Sequence, residues 1–229
     1  MTQVVRVIIP ALNEEQSIAK VINEIPKSIV CEVIVCDNGS IDKTIEKAET
    51  AGATVLIEHE KGYGACCLKG ISYVNKLKEK TDIIVFLDGD YSDYPEEMNK
   101  VIEPILTNTA DMVIGSRALG QKESGSLTPQ QIFGNWLATK MLHLFYGVKF
   151  TDLGPFRAIK LESLNNLKMT DRNYGWTVEM QIKAAKLKIK SVEVPVNYRN
   201  RIGISKVSGT VKGTVMAGYK IILTLFKYL

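Results

Sequence analysis

The sequence has few of the residues that build disulfide frameworks or compact metal sites. Its 229 residues include only four cysteines, Cys31, Cys36, Cys66 and Cys67, and none shows the spacing of a metal-ligand motif. Cys66 and Cys67 are adjacent, which is too close for ordinary disulfide geometry. The chain also starts without the apolar core of a signal peptide. We therefore expect a chain that is not secreted, lies in a reducing cytosol and uses its cysteines for packing.

Common nucleotide-binding loops are missing as well. No GxxxxGK[ST] loop is present and no GxGxxG follows the first predicted strand, which excludes a Walker site and a standard dinucleotide fold. A nucleotidyltransferase is disfavoured because no glycine-rich triphosphate loop with Arg or Lys follows that strand. We expect no nucleic-acid partner.

The composition is that of a soluble globular domain, 45% hydrophobic and 24% charged, with a net charge of +4. That charge is unevenly distributed. Residues 1–115 contain 11 basic and 19 acidic side chains, a net charge of −8, whereas residues 116–229 contain 18 and 6, a net charge of +12. The split favours a carboxylate-rich half that binds metal and a basic half that faces phosphates or an anionic surface; scattered, solvated lysines are the alternative.

Short apolar runs alternate with helical patterns through the first half of the chain. Strands are predicted over residues 4–9, 32–36, 54–57, 83–87 and 112–115. Such alternation is typical of βαβ units, so we predict a three-layer α/β fold with a mainly parallel central sheet. Residues 192–198 form a further predicted strand, which we place at a sheet edge because Pro195 interrupts it.

The fourth predicted strand ends in Asp88-Gly89-Asp90. Open α/β sheets bind ligands at the carboxyl ends of their strands, and Gly89 lets a large polar ligand approach the backbone. One or two carboxylates plus substrate phosphates usually hold Mg²⁺, and Mn²⁺ accepts the same oxygens. An Asp-Gly turn with solvated carboxylates is the alternative. At the same sheet edge we expect the polar residues that follow neighbouring strands, Asn13, Glu14, Asp37 and Lys61.

Five motifs in order carry a specific resemblance: VIIPALNEE, DNGSIDKT, EKGYGAC, FLDGDYSDYPEEM and VIGSR. They resemble the ordered motifs of family two glycosyltransferases, and most of all the branch that includes dolichyl-phosphate mannose and glucose synthases. The resemblance extends over residues 4–206. It implies a Rossmann-like GT-A fold that binds a nucleotide-diphospho-sugar with Mg²⁺ or Mn²⁺.

The resemblance also implies roles for individual residues. The nucleotide-sugar would be bound by Pro10, Asn13, Glu14, Asp37, Asn38, Gly39, Lys61, Gly62, Asp88 and Gly89. Asp88 and Asp90 would hold the metal, and Asp90 would be catalytic because it anchors the metal on the leaving diphosphate. Ser92 stands where some relatives carry Gln, which puts a side-chain metal ligand there in question.

In the basic half, the resemblance points to phosphate or acceptor contacts by Arg117, Arg157, Arg199, Arg201 and Lys206. The last three lie around Gly203 and favour a phosphate clamp, with a solvated loop as the alternative. Glu179 lies where inverting relatives with hydroxyl acceptors carry a catalytic carboxylate. A hydroxyl nucleophile needs a general base, whereas a phosphate monoester is already anionic. Alternatively, Glu179 caps a helix or pairs with a basic neighbour.

Two apolar helical patterns remain. Residues 127–147 carry a stripe that predicts a core-facing helix, with a helix facing a lipid acceptor as the alternative: Ile132, Trp136, Leu137, Met141, Leu144 and Phe145. We predict a glycosyltransferase domain over residues 1–207 and a C-terminal amphipathic helix over 208–229. Lysines interrupt that helix, so it should not cross a bilayer. Three placements of this helix stay open: in the membrane interface, packed on the body of the protein, or packed on a second subunit.

Together these features favour an inverting, metal-dependent glycosyltransferase whose acceptor is a polyprenyl phosphate, acting at the cytoplasmic face of the membrane. Two rivals stay open. One uses the same donor with a soluble or saccharide hydroxyl acceptor, and the other is a sugar-nucleotide binding protein without catalysis.

Overall fold

The structure is a computed structural model that describes residues 3–203 and 211–229, with only the backbone of 211–215 and 217. Lys206, which belongs to the predicted phosphate clamp, lies outside the described residues. The other predicted site residues are all described.

One seven-stranded sheet forms the centre of the molecule, in the order β3-β2-β1-β4-β6-β5-β7. The strands are β1 Val5–Ala11, β2 Val30–Asp37, β3 Thr54–Ile57, β4 Ile83–Phe86, β5 Met112–Ser116, β6 Arg157–Lys160 and β7 Ser191–Pro195. Strand β6 runs antiparallel to both neighbours, and the remaining pairs are parallel. The predicted, mainly parallel sheet is confirmed. Strand β7 lies at the predicted edge, although Pro195 ends it instead of interrupting it.

The helices are α1 Ile18–Glu24, α2 Thr44–Thr50, α3 Tyr63–Val74, α4 Met98–Leu106, α5 Pro129–Tyr146, α6 Leu161–Leu167, α7 Trp176–Lys186 and α8 Val211–Lys227. A 3₁₀ turn, Pro95–Glu97, precedes α4. Local sequence sets the ends of α5 clearly. The Thr128 side chain accepts from the backbone of Gln131, whose side chain accepts in return, and Gly147 ends the helix with φ 69°.

Helices cover both faces of the sheet and make it the middle of three layers. Val7 and Ile9 of β1 point to the layer of α1, α2 and α4, whereas Ile8 points to the layer of α3, α6 and α7. Because both faces are buried, the strands are apolar at successive positions. Three of the four cysteines are buried as predicted, but Cys31 is exposed, so the packing prediction is wrong for that residue.

A smaller apolar cluster joins α5, α7 and α8, and its buried residues include Ala138, Leu142, Val178, Ile182 and Leu225. The C-terminal helix therefore packs on the body of the protein, one of the alternatives left open by the sequence. Three apolar side chains at its C-terminal end face outward. Ile222, Phe226 and Leu229 are exposed.

Helix α5 differs from its prediction as a core-facing helix. The side chains of Ile132, Trp136 and Leu144 are 55%, 53% and 75% exposed, while the helix packs inward through Ala138 and Leu142. Apolar residues occur around most of the helix, so their spacing does not identify the buried face. None of the described helices combines the length and hydropathy that crossing a bilayer requires.

The start of α3 crosses very close to residues 171–172. The backbone N–H of Ala65 donates to the carbonyl of Arg172 at 2.9 Å. A Cβ at Gly62 would lie 2.0 Å from that carbonyl oxygen, and a Cβ at Gly64 would lie 2.2 Å from the carbonyl oxygen of Asp171. Glycine is therefore required in the EKGYGAC motif because two backbone segments touch there.

This contact yields a stability prediction. Gly64→Ala should lower the free energy of unfolding by about 2 kcal/mol, because the added methyl group overlaps the backbone of Asp171. Gly134→Ala in α5 is the matched control, since nothing lies within 4 Å of its Cβ position. That variant should gain up to about 1 kcal/mol from helix propensity. Urea unfolding of both variants tests the argument, and equal stabilities would contradict it.

Candidate active site

A cleft of about 350 Å³ opens at the carboxyl ends of β1, β2 and β4. It brings together nine of the predicted site residues: Pro10, Glu14, Asn38, Lys61, Gly62, Asp88, Gly89, Asp90 and Arg201. The rest of its lining was not singled out from the sequence and comprises Ala11, Leu12, Tyr63, Cys66, Asn173 and Tyr174. Tyr63 and Cys66 belong to the EKGYGAC motif, which was the available signal for them.

Asp88 and Asp90 follow β4 at the floor of the cleft. One oxygen of Asp88, Oδ1, is buried and has no hydrogen-bond partner. Burial and the charge of Asp90 raise the pKa of Asp88 to about 7. Asp90 Oδ1 accepts from the backbone N–H and the hydroxyl of Ser92, at 3.0 and 2.5 Å. Ser92 therefore fixes the orientation of Asp90.

These carboxylates fit a divalent cation that takes its remaining ligands from a substrate. Within the described residues, no group of three or more His, Cys, Asp or Glu side chains converges as a complete metal site. One or two carboxylates completed by phosphate oxygens are the usual Mg²⁺ arrangement. Asp93, which the sequence did not single out, is a further buried carboxyl group, and neither of its oxygens has a hydrogen-bond partner. Burial and the charges of Asp88 and Asp90 raise the pKa of Asp93.

The loops after β2 and β3 meet at Asn38 and Lys61. Lys61 Nζ donates to the carbonyl of Asn38 at 2.6 Å, and the N–H of Gly62 donates to Asn38 Oδ1 at 2.8 Å. The Asn38 amide donates to the carbonyls of Glu58 and Glu60. A lysine ammonium and a backbone turn are thereby held together at the cleft wall.

Three predicted nucleotide-binding residues, Asn13, Asp37 and Gly39, are not among the residues that line the cleft. Asp37 is fully buried, and its Oδ2 accepts from the backbone of Gly39 and Ser40, both at 2.9 Å. Its Oδ1 is buried without a partner. Asn13 has a positive φ of 52° and accepts from the N–H of Ile41 at 2.9 Å. These contacts join the loops that follow β1 and β2.

Arg117 and Arg157 are directed into the protein, which argues against their predicted phosphate contacts. Arg117 makes two bonds to the carboxylate of Asp152, at 2.8 and 2.7 Å, and stacks on Tyr198. Arg157 is fully buried, and desolvation lowers its pKa to about 10. Its guanidinium donates to the backbone carbonyls of Leu153, Gly154 and Thr177. Both arginines organise residues 152–157.

Arg199 and Arg201 diverge although they are two residues apart. Arg199 lies 3.3 Å from the centre of the Tyr91 ring and donates to Glu24 at 2.7 Å. Arg201 instead reaches the cleft, where Nη1 lies 3.0 Å from Asp90 Oδ2 and Nη2 lies 3.3 Å from Glu14 Oε1. Of these two arginines, Arg201 is the one that reaches the predicted diphosphate position.

Glu179 is buried in a dense set of hydrogen bonds. Its carboxylate accepts from the N–H of Asp171 at 2.7 Å, the hydroxyls of Thr170 and Tyr228 at 2.7 and 2.5 Å, and Lys183 at 2.8 Å. Burial alone would raise its pKa, but hydrogen bonds from Lys183, Tyr228 and Thr170 lower that pKa to about 2. So acidic a group is a weak general base, and the geometry favours the ion-pair alternative.

Contacts of Glu179 and Asp171 connect α7 and α8 to the cleft wall. Asp171 accepts from the N–H groups of Asn173 and Gly175, at 2.7 and 3.1 Å, and pairs with Lys220 of α8 at 3.3 Å. Asn173 and Tyr174, inside that turn, line the cleft. Sequence reasoning missed them because their positions depend on contacts with helices distant in the chain.

Glu179 gives a pH-dependent stability prediction. Because its pKa is lower in the folded protein, the Glu179 carboxylate stabilises the folded state at pH values above its unfolded pKa of about 4.5. This stabilisation is lost as the pH falls towards the folded pKa of about 2. Glu179→Gln should therefore lower the free energy of unfolding by about 2 kcal/mol at pH 7. Its difference from the unmodified protein should shrink progressively between pH 4.5 and pH 2.

Urea unfolding at pH 7 and at about pH 3 measures that difference. Glu49→Gln, on the exposed side of α2, is the control and should stay within about 0.5 kcal/mol at both pH values. A Glu179→Gln penalty that is the same at both pH values would show that the carboxylate charge is not responsible.

Comparison with known proteins agrees with this architecture. The sequence profile described as Glycosyl transferase family 2 matches residues 6–168. An uncharacterized glycosyltransferase of Mycobacterium tuberculosis is 32% identical over 93% of this chain and 94% of its own length. An undecaprenyl-phosphate mannosyltransferase of Micrococcus luteus is 29% identical over 90% of this chain and 88% of its own.

Among solved structures, glucosyl-3-phosphoglycerate synthase of Mycobacterium tuberculosis, in complex with Mn²⁺, uridine diphosphate and glucosyl-3-phosphoglycerate, is similar with a TM-score of 0.79. The two chains are 22% identical, and the match covers 99% of this chain and 80% of the other. At that identity the likeness concerns the fold, and it confirms the predicted GT-A arrangement.

Proposed function

The chain belongs to glycosyl transferase family 2, and we propose that it transfers a sugar, with inversion, from a nucleotide-diphospho-sugar to a polyprenyl phosphate. We place this reaction at the cytoplasmic face of a membrane. The observation that carries the choice of acceptor is an exposed apolar surface on α5 and α8. Helix α8 also contacts the cleft wall, because its Lys220 pairs with Asp171.

The donor half of the proposal rests on the cleft. Asp88 and Asp90 would hold Mg²⁺ or Mn²⁺ on the diphosphate, with Lys61 and Arg201 as nearby cations. The loops around Asn38 would receive the nucleoside, with the buried Asp37 behind them. A bound metal would supply positive charge to the leaving nucleoside diphosphate. The solved relative with bound Mn²⁺ and uridine diphosphate supports the same type of donor.

The transfer is one displacement at the anomeric carbon of the sugar. A phosphate oxygen of the acceptor attacks that carbon from the side opposite the diphosphate. A new carbon–oxygen bond forms while the bond to the leaving diphosphate oxygen breaks, and the configuration inverts. Because a phosphate monoester is already anionic near neutral pH, the attacking oxygen needs no general base. That agrees with Glu179, whose carboxylate is bonded to Lys183 and Tyr228.

The apolar surface suits a lipid acceptor. Phe133 and Trp136 of α5 stack at 5.8 Å and are 61% and 53% exposed, and Phe145 meets Phe226 of α8 at 5.6 Å. An apolar groove of about 500 Å³ runs between the two helices. Their sequences contain four lysines and no Asp or Glu. Exposed aromatics among lysines are typical of surfaces that bind anionic membranes.

A soluble acceptor is the second candidate, because the structurally similar synthase binds glucosyl-3-phosphoglycerate. That candidate offers no use for the apolar groove between α5 and α8. If the acceptor group were a hydroxyl, it would also require a base. Glu179, the carboxylate expected for that role, is buried and accepts from Thr170 and Asp171.

The donor site is tested by Asp90→Asn. Loss of the carboxylate charge should abolish measurable sugar transfer, a fall of at least about 10²-fold, because the metal on the diphosphate loses its anchor. Asp111→Asn is the control, since Asp111 pairs with Lys160 at the surface. Transfer is assayed with saturating Mg²⁺ or Mn²⁺. Activity of Asp90→Asn near that of the control would contradict the donor site.

The acceptor is tested by replacing Phe133 and Trp136 with Ser. The double variant should bind vesicles containing phosphatidylglycerol about tenfold more weakly, because two exposed aromatic side chains no longer enter the bilayer. Transfer to polyprenyl phosphate in those vesicles should fall in parallel, while metal-dependent nucleotide binding stays unchanged. Leu106→Ser is the control, because Leu106 is 44% exposed at the end of α4, in the layer on the other side of the sheet. Full vesicle binding and lipid glycosylation by the double variant would contradict a role for this surface, whereas absence of lipid glycosylation by the unmodified protein, together with transfer to a soluble acceptor, would argue for the soluble acceptor.

A further inference from the structure

Asp90, the carboxylate proposed to anchor the metal, already has a partner at each oxygen. Ser92 donates twice to Oδ1, through its N–H at 3.0 Å and its hydroxyl at 2.5 Å. Arg201 Nη1 lies 3.0 Å from Oδ2. A metal that bound Oδ2 would be repelled by the guanidinium charge only about 3 Å from that oxygen, so the two cations compete for Asp90.

The backbone around Arg201 is held in place, so that its side chain is the part that can change partner. Arg199 donates from its N–H to the carbonyl of Ser92, and Ile202 donates to the carbonyl of Asp90, both at 2.9 Å. The Arg201 guanidinium extends from this anchored segment and bridges Asp90 and Glu14. It is about one quarter exposed, at 27%, and it lines the cleft.

Arg201 also has unused capacity for an anion. Its Nε is buried without a hydrogen-bond partner. The planar fork of an arginine matches two phosphate oxygens better than it matches two carboxylates on different loops. The bond to Glu14, at 3.3 Å, is longer than a good charge-assisted hydrogen bond. A diphosphate placed in the cleft would offer this guanidinium a better partner.

We propose that Arg201 is the resident cation of the metal site in the donor-free protein. It holds Asp90 and excludes the divalent ion until a nucleoside diphosphate arrives, and it then turns from Asp90 to the phosphates. This inference rests on the donor site of the proposed function. Metal and Arg201 compete in the free protein, and the diphosphate removes the competition by giving each cation its own anion. The donor and the metal therefore bind cooperatively.

Binding of Mn²⁺ alone, in the absence of nucleotide, tests the competition directly. Free Mn²⁺ is followed by electron paramagnetic resonance during titration of the full chain. Arg201→Gln should bind Mn²⁺ about tenfold more tightly than the unmodified protein. In the unmodified protein, Mn²⁺ must first displace the partly buried ion pair between Arg201 and Asp90, and breaking such a pair typically costs about this much affinity. Arg201→Ala should behave in the same way, which guards against an effect of the new amide.

Arg199→Gln is the matched control, because it removes the same charge from the same segment while its guanidinium bonds Glu24. A general loss of positive charge would tighten Mn²⁺ binding in both Arg199→Gln and Arg201→Gln, whereas the bridge predicts the large gain only at Arg201. Thermal unfolding of each variant without Mn²⁺ checks that it is folded. Either Arg201 variant, if folded, is sufficient for the comparison.

Equal Mn²⁺ affinities for the unmodified protein and the Arg201 variants, including no binding by any of them, would overturn the proposal. So would equal gains at Arg199 and Arg201. Sugar transfer by the unmodified protein is measured separately. A protein that transfers sugar yet shows no Mn²⁺ gain at Arg201 refutes the resident cation alone, whereas a protein without transfer refutes the proposed function.

Discussion

Three carboxyl groups, Asp88, Asp90 and Asp93, lie at the carboxyl end of β4, and the last two are buried. Burial and the neighbouring carboxylates raise the pKa of Asp88 and of Asp93. A protein interior tolerates such a group only with compensating cations and hydrogen bonds. Ser92 and Arg201 provide these for Asp90. A divalent ion, bound together with a diphosphate, would balance the remaining negative charge.

The other side of the cleft depends on helices far along the chain. Residues 171–175 are held between the start of α3, which they touch at Gly62 and Gly64, and α8, whose Lys220 pairs with Asp171. Tyr228, just after α8, donates to Glu179, which in turn accepts from the N–H of Asp171. The apolar face of α8 lies on the same helix as these contacts. The surface suited to a lipid and the wall of the sugar site are thus parts of one packed unit.

Much of the donor side could be predicted from the sequence, because strand ends and their polar residues are local features. The run at residues 83–87 ends in Asp88-Gly89-Asp90, and a parallel sheet gathers such ends at one edge. The basic half was harder. Arg117 and Arg157 stand in recognisable motifs, but their direction depends on Asp152 and on backbone carbonyls that spacing does not reveal.

Helix α5 and Glu179 show the same limit. The helix is apolar around most of its circumference, so only its packing through Ala138 and Leu142 shows which side is buried. Glu179 had two chemical interpretations in the sequence. The contacts of Glu179 with Lys183, one turn away, and with Tyr228, just after the last helix, decide between these interpretations, and only Lys183 is a local neighbour. Strand β6 was missed because its four residues, RAIK, place only two apolar residues between two basic ones and form no apolar run.

The most direct measurement is the mass of the lipid product. The protein would be incubated with Mn²⁺, a panel of nucleotide-diphospho-sugars and polyprenyl phosphate in vesicles, and the lipids examined by mass spectrometry. The account predicts a polyprenyl phosphate whose mass has increased by one sugar residue, joined to it through a phosphodiester. Unchanged lipid, together with sugar transfer to a soluble acceptor from the same donors, would contradict it.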